Sequence, residues 1–248
     1  MTSRRDPLLR LENVAVAFGD VRVLEGLTFQ VHAGEFVALV GPSGCGKTTL
    51  LNVCSGWLAP TAGRVEVASA LRMVFQQDGL FPWLTARENI LLGLGHVADP
   101  AERNRRADAL LALIGLSAFA GAYPHHLSGG MRQRVELARA LAGEAPLLLM
   151  DEPFAALDYL TRLKMRRELA RILHDQPRTV LLVTHDIEEA AQLADRVLVF
   201  SERPARIRGE VALGAPRPRN ATHPEVVAAV HEVLTALGLE SDVEEGAA

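Results

Sequence analysis

Apolar and polar residues alternate with a period of two over residues 9–18 and again through Leu27-Thr28-Phe29-Gln30-Val31-His32, which Ala33-Gly34-Glu35 closes as a turn. Such alternation marks strands buried on one face, so the chain opens with antiparallel β structure. The pattern then changes. Phe36-Val37-Ala38-Leu39-Val40, Leu147-Leu148-Leu149-Met150 and Val180-Leu181-Leu182-Val183 are unbroken apolar runs, as expected of strands covered on both faces of a mostly parallel sheet. Each run ends in a polar cluster, and in open α/β sheets ligands bind beyond the carboxyl ends of the strands.

Between the first and second runs, residues 87–94, 100–115 and 129–142 carry apolar side chains at helical spacing with charges opposite. They predict a helical subdomain, about residues 77–142, inserted into the sheet domain. Residues 225–237 repeat the pattern and predict a short helix within a C-terminal extension, 211–248.

Composition narrows the class. With 49% hydrophobic and 23% charged residues the chain is an ordinary globular protein, which excludes disordered, collagen-like and disulfide-scaffold classes. The net charge is −4, and four of the acids fall in residues 240–248, which read as a disordered acidic tail. The remainder is balanced, so no basic field attracts nucleic acid. Cys45 and Cys54 lie too close in sequence to staple a fold of this size, and a reducing compartment is expected. Arg4 and Arg5 precede Leu8-Leu9-Arg10-Leu11-Glu12, which is not the apolar core of a signal peptide. Residues 109–131 lack any Asp, Glu, Lys or Arg, but Gly115, Gly121, Pro124 and Gly129-Gly130 leave no apolar stretch able to span about 30 Å of hydrocarbon. A cytoplasmic protein is expected.

The 26 basic residues are all arginine except Lys47 and Lys164, which directs attention to the positions that keep lysine. Lys47 belongs to Gly41-Pro42-Ser43-Gly44-Cys45-Gly46-Lys47-Thr48, a match to G-x-x-x-x-G-K-[ST] with a buried strand before it and a helix over residues 48–55 after it. In such a loop successive backbone N–H groups curl around phosphate oxygens, Lys47 reaches the β/γ-phosphates, Thr48 can ligate Mg²⁺, and Thr49 follows on the same turn.

The second run closes with Asp151 and Glu152. Consecutive strand residues point to opposite sides, so one carboxylate can hold the Mg²⁺ shell while the other orients or deprotonates an attacking water. The third run ends Val183-Thr184-His185-Asp186, which brings His185 to the same sheet edge and gives Asp186 and Glu189 capping-box spacing. A lone His at such a place is more often structural than catalytic. Ser128-Gly129-Gly130 offers a helix N-cap and two glycines that expose backbone N–H groups, a second anion site. Two phosphate-seeking helix ends in different subdomains make sense if the second serves a nucleotide on a neighbouring molecule.

With Leu127-Ser128-Gly129-Gly130-Met131 in place, the chain resembles the ATP-binding-cassette (ABC) ATPase family over roughly residues 8–210. The resemblance implies an α/β P-loop NTPase fold with a mixed, mainly parallel core sheet, an N-terminal antiparallel subdomain and the inserted helical subdomain. It implies that Phe18 stacks on adenine and that residues 41–49 cradle the phosphates. It assigns Mg²⁺ to Thr48, Gln76 and Asp151, and catalysis to Glu152, His185 and the Q-loop Gln76. It further implies a head-to-tail dimer in which two ATP molecules are sandwiched between residues 41–48 of one copy and Ser128, Gly129 and Gly130 of the other. Asp158, in Ala155-Ala156-Leu157-Asp158, would cross that interface. Phe18 stands where Tyr is commoner, and the link from Gly63 to Gln76 is shorter than usual, as if trimmed near Ala68-Ser69-Ala70.

Gln77-Asp78-Gly79-Leu80-Phe81-Pro82-Trp83-Leu84, followed by Glu88-Asn89, resembles the corresponding segment of the taurine, aliphatic sulfonate and nitrate importer ATPases. The branch implies an ATPase subunit on the cytoplasmic face of the inner membrane. It would drive a separate integral-membrane permease, contacted near residues 77–84, and would reach a periplasmic solute-binding protein only through that permease. An exposed Leu80-Phe81-Pro82-Trp83 suits such docking; the other reading is that Phe81 and Trp83 pack the helical subdomain. A non-transport ABC ATPase acting on nucleic acid or ribosomes is the alternative function. The solute is not written in a chain that does not touch it.

Overall fold

A computed structural model describes residues 6–75 and 79–239. Strands β1 (Pro7–Phe18) and β2 (Val21–His32) form the expected antiparallel hairpin. Strand β3 (Phe36–Val40) leads into helix α1 (Lys47–Cys54), and β4 (Ala62–Val67) returns to pair with β1, giving a three-stranded sheet in the order β2-β1-β4. After β5 (Leu71–Val74) come helices α2 (Ala86–Gly93), α3 (Pro100–Leu113) and α4 (Gly129–Ala142), the inserted helical part. The chain then re-enters the sheet with β6 (Leu147–Asp151), α5 (Tyr159–Asp175), β7 (Thr179–Val183), α6 (Ile187–Leu193), β8 (Arg196–Phe200), β9 (Ile207–Ala212) and α7 (Pro224–Leu237).

The second sheet has the order β5-β6-β7-β3-β8-β9, parallel except for the antiparallel β8/β9 pair. The three apolar runs are therefore adjacent central strands. Their pleat explains why they lack polar residues: Phe36, Ala38 and Val40 face a core shared with α2 to α7, whereas Val37 and Leu39 face the core formed by α1 and the three-stranded sheet. Every residue of β3, β6 and β7 is buried, and truncating one of the leucines to alanine would cost about 2–5 kcal/mol.

Helix starts follow local chemistry. Thr85 and Glu88 make a reciprocal capping box for α2, and Asp99 caps α3 with Pro100 in the first turn, where its missing N–H costs nothing. Helix α3 stops at Leu113, short of 115, because the chain turns through Gly115 at φ +68°. The connection trimmed to residues 68–70 is what joins β4 to β5, which belong to different sheets.

The division expected at residue 210 falls inside a strand. Strand β9 runs past residue 210 to Ala212, and α7 buries Val226, Ala229 and Val233 in the main core, so this segment is packed onto the sheet domain. Amphipathicity revealed the helix but not the face of the sheet that receives it. The acidic tail at 240–248 lies outside the described residues. Among the described residues no helix is long and apolar enough to cross a membrane.

Candidate active site

Because β6, β7 and β3 are parallel neighbours, their carboxyl ends bring residues 41–48, Asp151-Glu152 and Thr184-His185 to one edge. The loop between β3 and α1 is shaped by two glycine contacts. A Cβ on Gly41 would lie 2.9 Å from Cβ of Phe200, and one on Gly46, at φ +122°, would lie 2.8 Å from Leu24 and Val23 side-chain carbons. Lys47 is buried, and its Nζ donates to Gly41 O at 2.8 Å and Pro42 O at 2.9 Å. The ammonium sits inside the turn. No side chain caps α1, so its first N–H groups are left for an anion, with the helix dipole favouring negative charge.

Thr48 and Asp151 meet the demands of a hard divalent cation. Asp151 is 2% exposed, its Oδ1 has no hydrogen-bond partner among the described residues, and the Thr48 side chain hydrogen-bonds to its carboxyl group. Burial pushes the Asp151 carboxyl upward, Thr48 and Lys47 pull it down, and the neighbouring Glu152 charge adds to the rise. A buried carboxylate oxygen without a partner is costly unless a cation takes it. Among the described residues no three His, Cys, Asp or Glu side chains are arranged to hold a metal ion by themselves, so the remaining positions would fall to phosphate and water oxygens, as Mg²⁺ favours. Gln76, the third expected ligand, lies outside the described residues, as do Gln77 and Asp78.

Glu152 departs from the pleat expected of it. Strand β6 ends at Asp151, and Glu152 adopts φ +46°, so its side chain is redirected by a left-handed turn and not by strand alternation. The turn is held by Glu152 N donating to Val183 O at 2.9 Å and by Gln133 Nε2 donating to Glu152 O at 2.8 Å. His185 Nδ1 lies 3.2 Å from Glu152 Oε1; the carboxylate is mostly buried and the imidazole about half exposed. Asp186 caps α6 by accepting from Glu189 N at 2.9 Å, but the capping box is only half made. The Glu189 carboxylate pairs instead with Arg166 at 3.0 Å, and Asp186 N donates to Thr184 Oγ1.

A cleft of about 580 Å³ collects Phe18, Ser43, Gly44, Gly46, Lys47, Thr48, Thr49, Glu152 and Arg203 along its walls. Phe18 is half exposed there, as a stacking residue must be. Gly41 and Cys45 are buried and shape the loop from within, while Pro42 contributes its carbonyl to Lys47. Arg203 was not anticipated. It follows β8, and its Nη2 donates to Gly44 O. Applying the carboxyl-end rule to Val197-Leu198-Val199-Phe200, a fourth parallel strand, would have pointed to it.

Ser128, Gly129 and Asp158 are exposed outside this cleft. Ser128 caps α4 by accepting from Met131 N at 3.2 Å, leaving the glycine turn open. A Cβ on Gly130 would come within 2.8 Å of Ala156 O, so glycine lets α4 pack against the loop that leads to Asp158. Asp158 itself caps α5, accepting from Thr161 N at 3.0 Å, and that bond holds its carboxyl below the usual range. Leu80 is buried, against expectation, because it belongs to the main core; Phe81 and Trp83 are exposed.

A glycine loop with its lysine, a strand-end aspartate beside Thr48, and a glutamate paired with a histidine define an ATPase of the P-loop class. The ABC transporter family profile matches residues 24–155, and this chain belongs to that family. It is 44% identical to a protein of Brucella abortus biovar 1 (strain 9-941) named as ATP-binding, over 86% of this chain and 85% of that one. It is 42% identical to an aliphatic sulfonates import ATP-binding protein of Agrobacterium fabrum, over 93% of this chain and 84% of that one. The dimeric ATP-binding cassette MJ0796, in a post-hydrolysis state with ADP and Pi, superimposes with a TM-score of 0.74 at 33% identity, covering 84% of this chain and 99% of that one. The chain is thus an ABC ATPase that uses ATP and Mg²⁺ and couples hydrolysis to transport, on the importer branch that contains the aliphatic sulfonate subunits.

Proposed function

We propose that this chain is the energy-coupling subunit of an importer for a small anionic solute of the taurine, sulfonate or nitrate kind. It would act as a head-to-tail dimer against a separate permease on the cytoplasmic face of the membrane. The observation that carries the reading is that glycine stands at the start of both helices, Gly46 capping α1 and Gly129-Gly130 opening α4, yet Ser128, Gly129 and Gly130 lie outside the cleft that Gly46, Lys47 and Thr48 line. One nucleotide would meet the α1 loop of one copy and Ser128, Gly129 and Gly130 of the next, a two-fold arrangement that closes on itself. The dimeric cassette MJ0796 supports that assembly.

In this reading Phe18 stacks on the base, Lys47 leaves its two carbonyls to engage phosphate, and Thr48 and Asp151 hold Mg²⁺. The ion would neutralise charge on the phosphate oxygens. Glu152 orients the water and takes its proton, His185 holds the Glu152 carboxylate in place, and Asp158 meets the partner copy. Gln76 is proposed as the γ-phosphate sensor. The exposed Phe81 and Trp83 receive the permease. The sulfonate import relative supports the solute class.

The test is reconstitution of the chain in vesicles with a multi-spanning permease and a solute-binding protein from the same organism, of the sulfonate, taurine or nitrate importer kind. ATP hydrolysis stimulated by taurine-, alkanesulfonate- or nitrate-loaded binding protein is expected. A chain that hydrolyses ATP but associates with no permease would overturn the reading.

A further inference from the structure

Helix α4 carries more than the glycine turn at its start. Glu136, two turns in, is 3% exposed, and its carboxylate accepts from Phe75 N at 2.8 Å and from Gly79 N at 3.1 Å. These two residues bracket Gln76 in the sequence. Gly79 is glycine for a physical reason: a Cβ there would stand 2.3 Å from Glu136 Oε1. Arg139, on the same face one turn on, donates to Gly79 O and lies 5.6 Å from the Phe81 ring centroid. Phe81 in turn stands 5.4 Å from Trp83. The fully buried Asn89 locks Phe81 from below, accepting its N–H at 2.9 Å and donating to its carbonyl at 3.2 Å.

The same face of α4 reaches the catalytic loop. Gln133, three residues before Glu136, donates to Glu152 O and accepts from Ala156 N at 2.9 Å. A single rigid helix therefore holds the turn of Glu152 with one side chain and the Phe75/Gly79 pair with the next. Charge-assisted bonds that a buried carboxylate accepts from two backbone N–H groups are short and strong, and a carboxylate buried this deeply cannot release them to water without cost.

We propose that Glu136 is a positioning residue: through its carboxylate, α4 sets the position of residues 79–83 according to the nucleotide state. This deepens and rests on the reading of Phe81 and Trp83 as the permease contact. A merely structural glutamate would keep the segment folded without transmitting anything.

Trp57 and Trp83 are the two tryptophans, so a full-length W57F chain reports from Trp83 alone. Acrylamide quenching of Trp83 would be measured with and without a non-hydrolysable ATP analogue and Mg²⁺, alongside the affinity for the analogue. In W57F the analogue is expected to change the quenching constant. Adding Glu136→Ala is expected to reduce that change at least fivefold while affinity stays within twofold. Gly79→Ala, which presses a methyl against the carboxylate from the other side, should give the same loss, and Glu136→Gln, which keeps one acceptor, an intermediate one. Should Glu136→Ala not fold, the other two variants decide. A nucleotide response that persists in these variants, or is absent from W57F itself, overturns the proposal. Loss of the response combined with unimpaired permease association in Trp83→Ala would leave this coupling standing and remove the docking reading alone.

Discussion

His185 Nδ1 stands 3.2 Å from Glu152 Oε1, joining the ends of two adjacent parallel strands. In the proposed function the pair divides two tasks, the mostly buried carboxylate holding a water while the imidazole fixes its rotamer. Glu152→Gln keeps the shape and removes the base, so Mg-ATP should bind within about threefold of the parent while turnover falls by roughly 10²–10⁴. Phosphate release and equilibrium nucleotide binding, measured on the same preparation, check this. Turnover within tenfold of the parent would remove Glu152 from its role.

Lys47→Arg tests the fit of the phosphate loop. The ammonium lies inside the turn, 2.8 and 2.9 Å from two carbonyls, where a planar guanidinium has neither the depth nor the geometry. ATP affinity should fall at least tenfold with the thermal unfolding midpoint little changed. Lys164→Arg, at an exposed position on α5, should leave both untouched. Equal nucleotide affinity in the two variants would show that the site asks only for positive charge.

Trp83→Ala addresses the exposed pair. Trp83 is 68% and Phe81 41% exposed, and they contact each other while Asn89 fixes the backbone beneath. The isolated chain should hydrolyse ATP within twofold of the parent, whereas the permease retained on co-purification should drop at least tenfold, as expected of an aromatic anchor. Retention at the parent level would leave that surface without its assigned partner.

The parallel core and the phosphate loop were legible because both are written in contiguous residues: three apolar runs, and one glycine pattern between a strand and a helix. What depends on distant pairing was not. Leu80 is drawn into the core by helices far along the chain, and Glu152 turns because Val183 O and Gln133 hold its backbone, contacts no local pattern encodes. Arg203 reaches Gly44 only because β8 lies beside β3. Glu136 sits at an inward-facing helix position where an apolar residue would be expected, and that mismatch was the available signal of its buried bonds to Phe75 and Gly79.

Glu189 sets a pH dependence with a definite sign. Burial pushes its carboxyl up to about 7 from 4.5, against the pull of Arg166. Between those values the native chain holds a proton that the unfolded chain releases, so this contribution is complete below about pH 4.5 and is lost as pH rises through 7. Asp186 acts in the opposite sense. Despite its burial, the Glu189 N–H and the Arg166 guanidinium hold it below the usual range, and its contribution is lost only in more acid solution. The two windows are therefore separate. Glu189→Gln cannot ionise, and Arg166 keeps Asp186 as a partner, so the variant gains on the parent as pH rises. From pH 5 to 8.5 the difference should move in its favour by about 2.5 kcal/mol, or roughly 5–10 °C in Tm for a chain of this size. Thermal unfolding of both proteins across that range measures it, and a difference independent of pH would place the proton elsewhere.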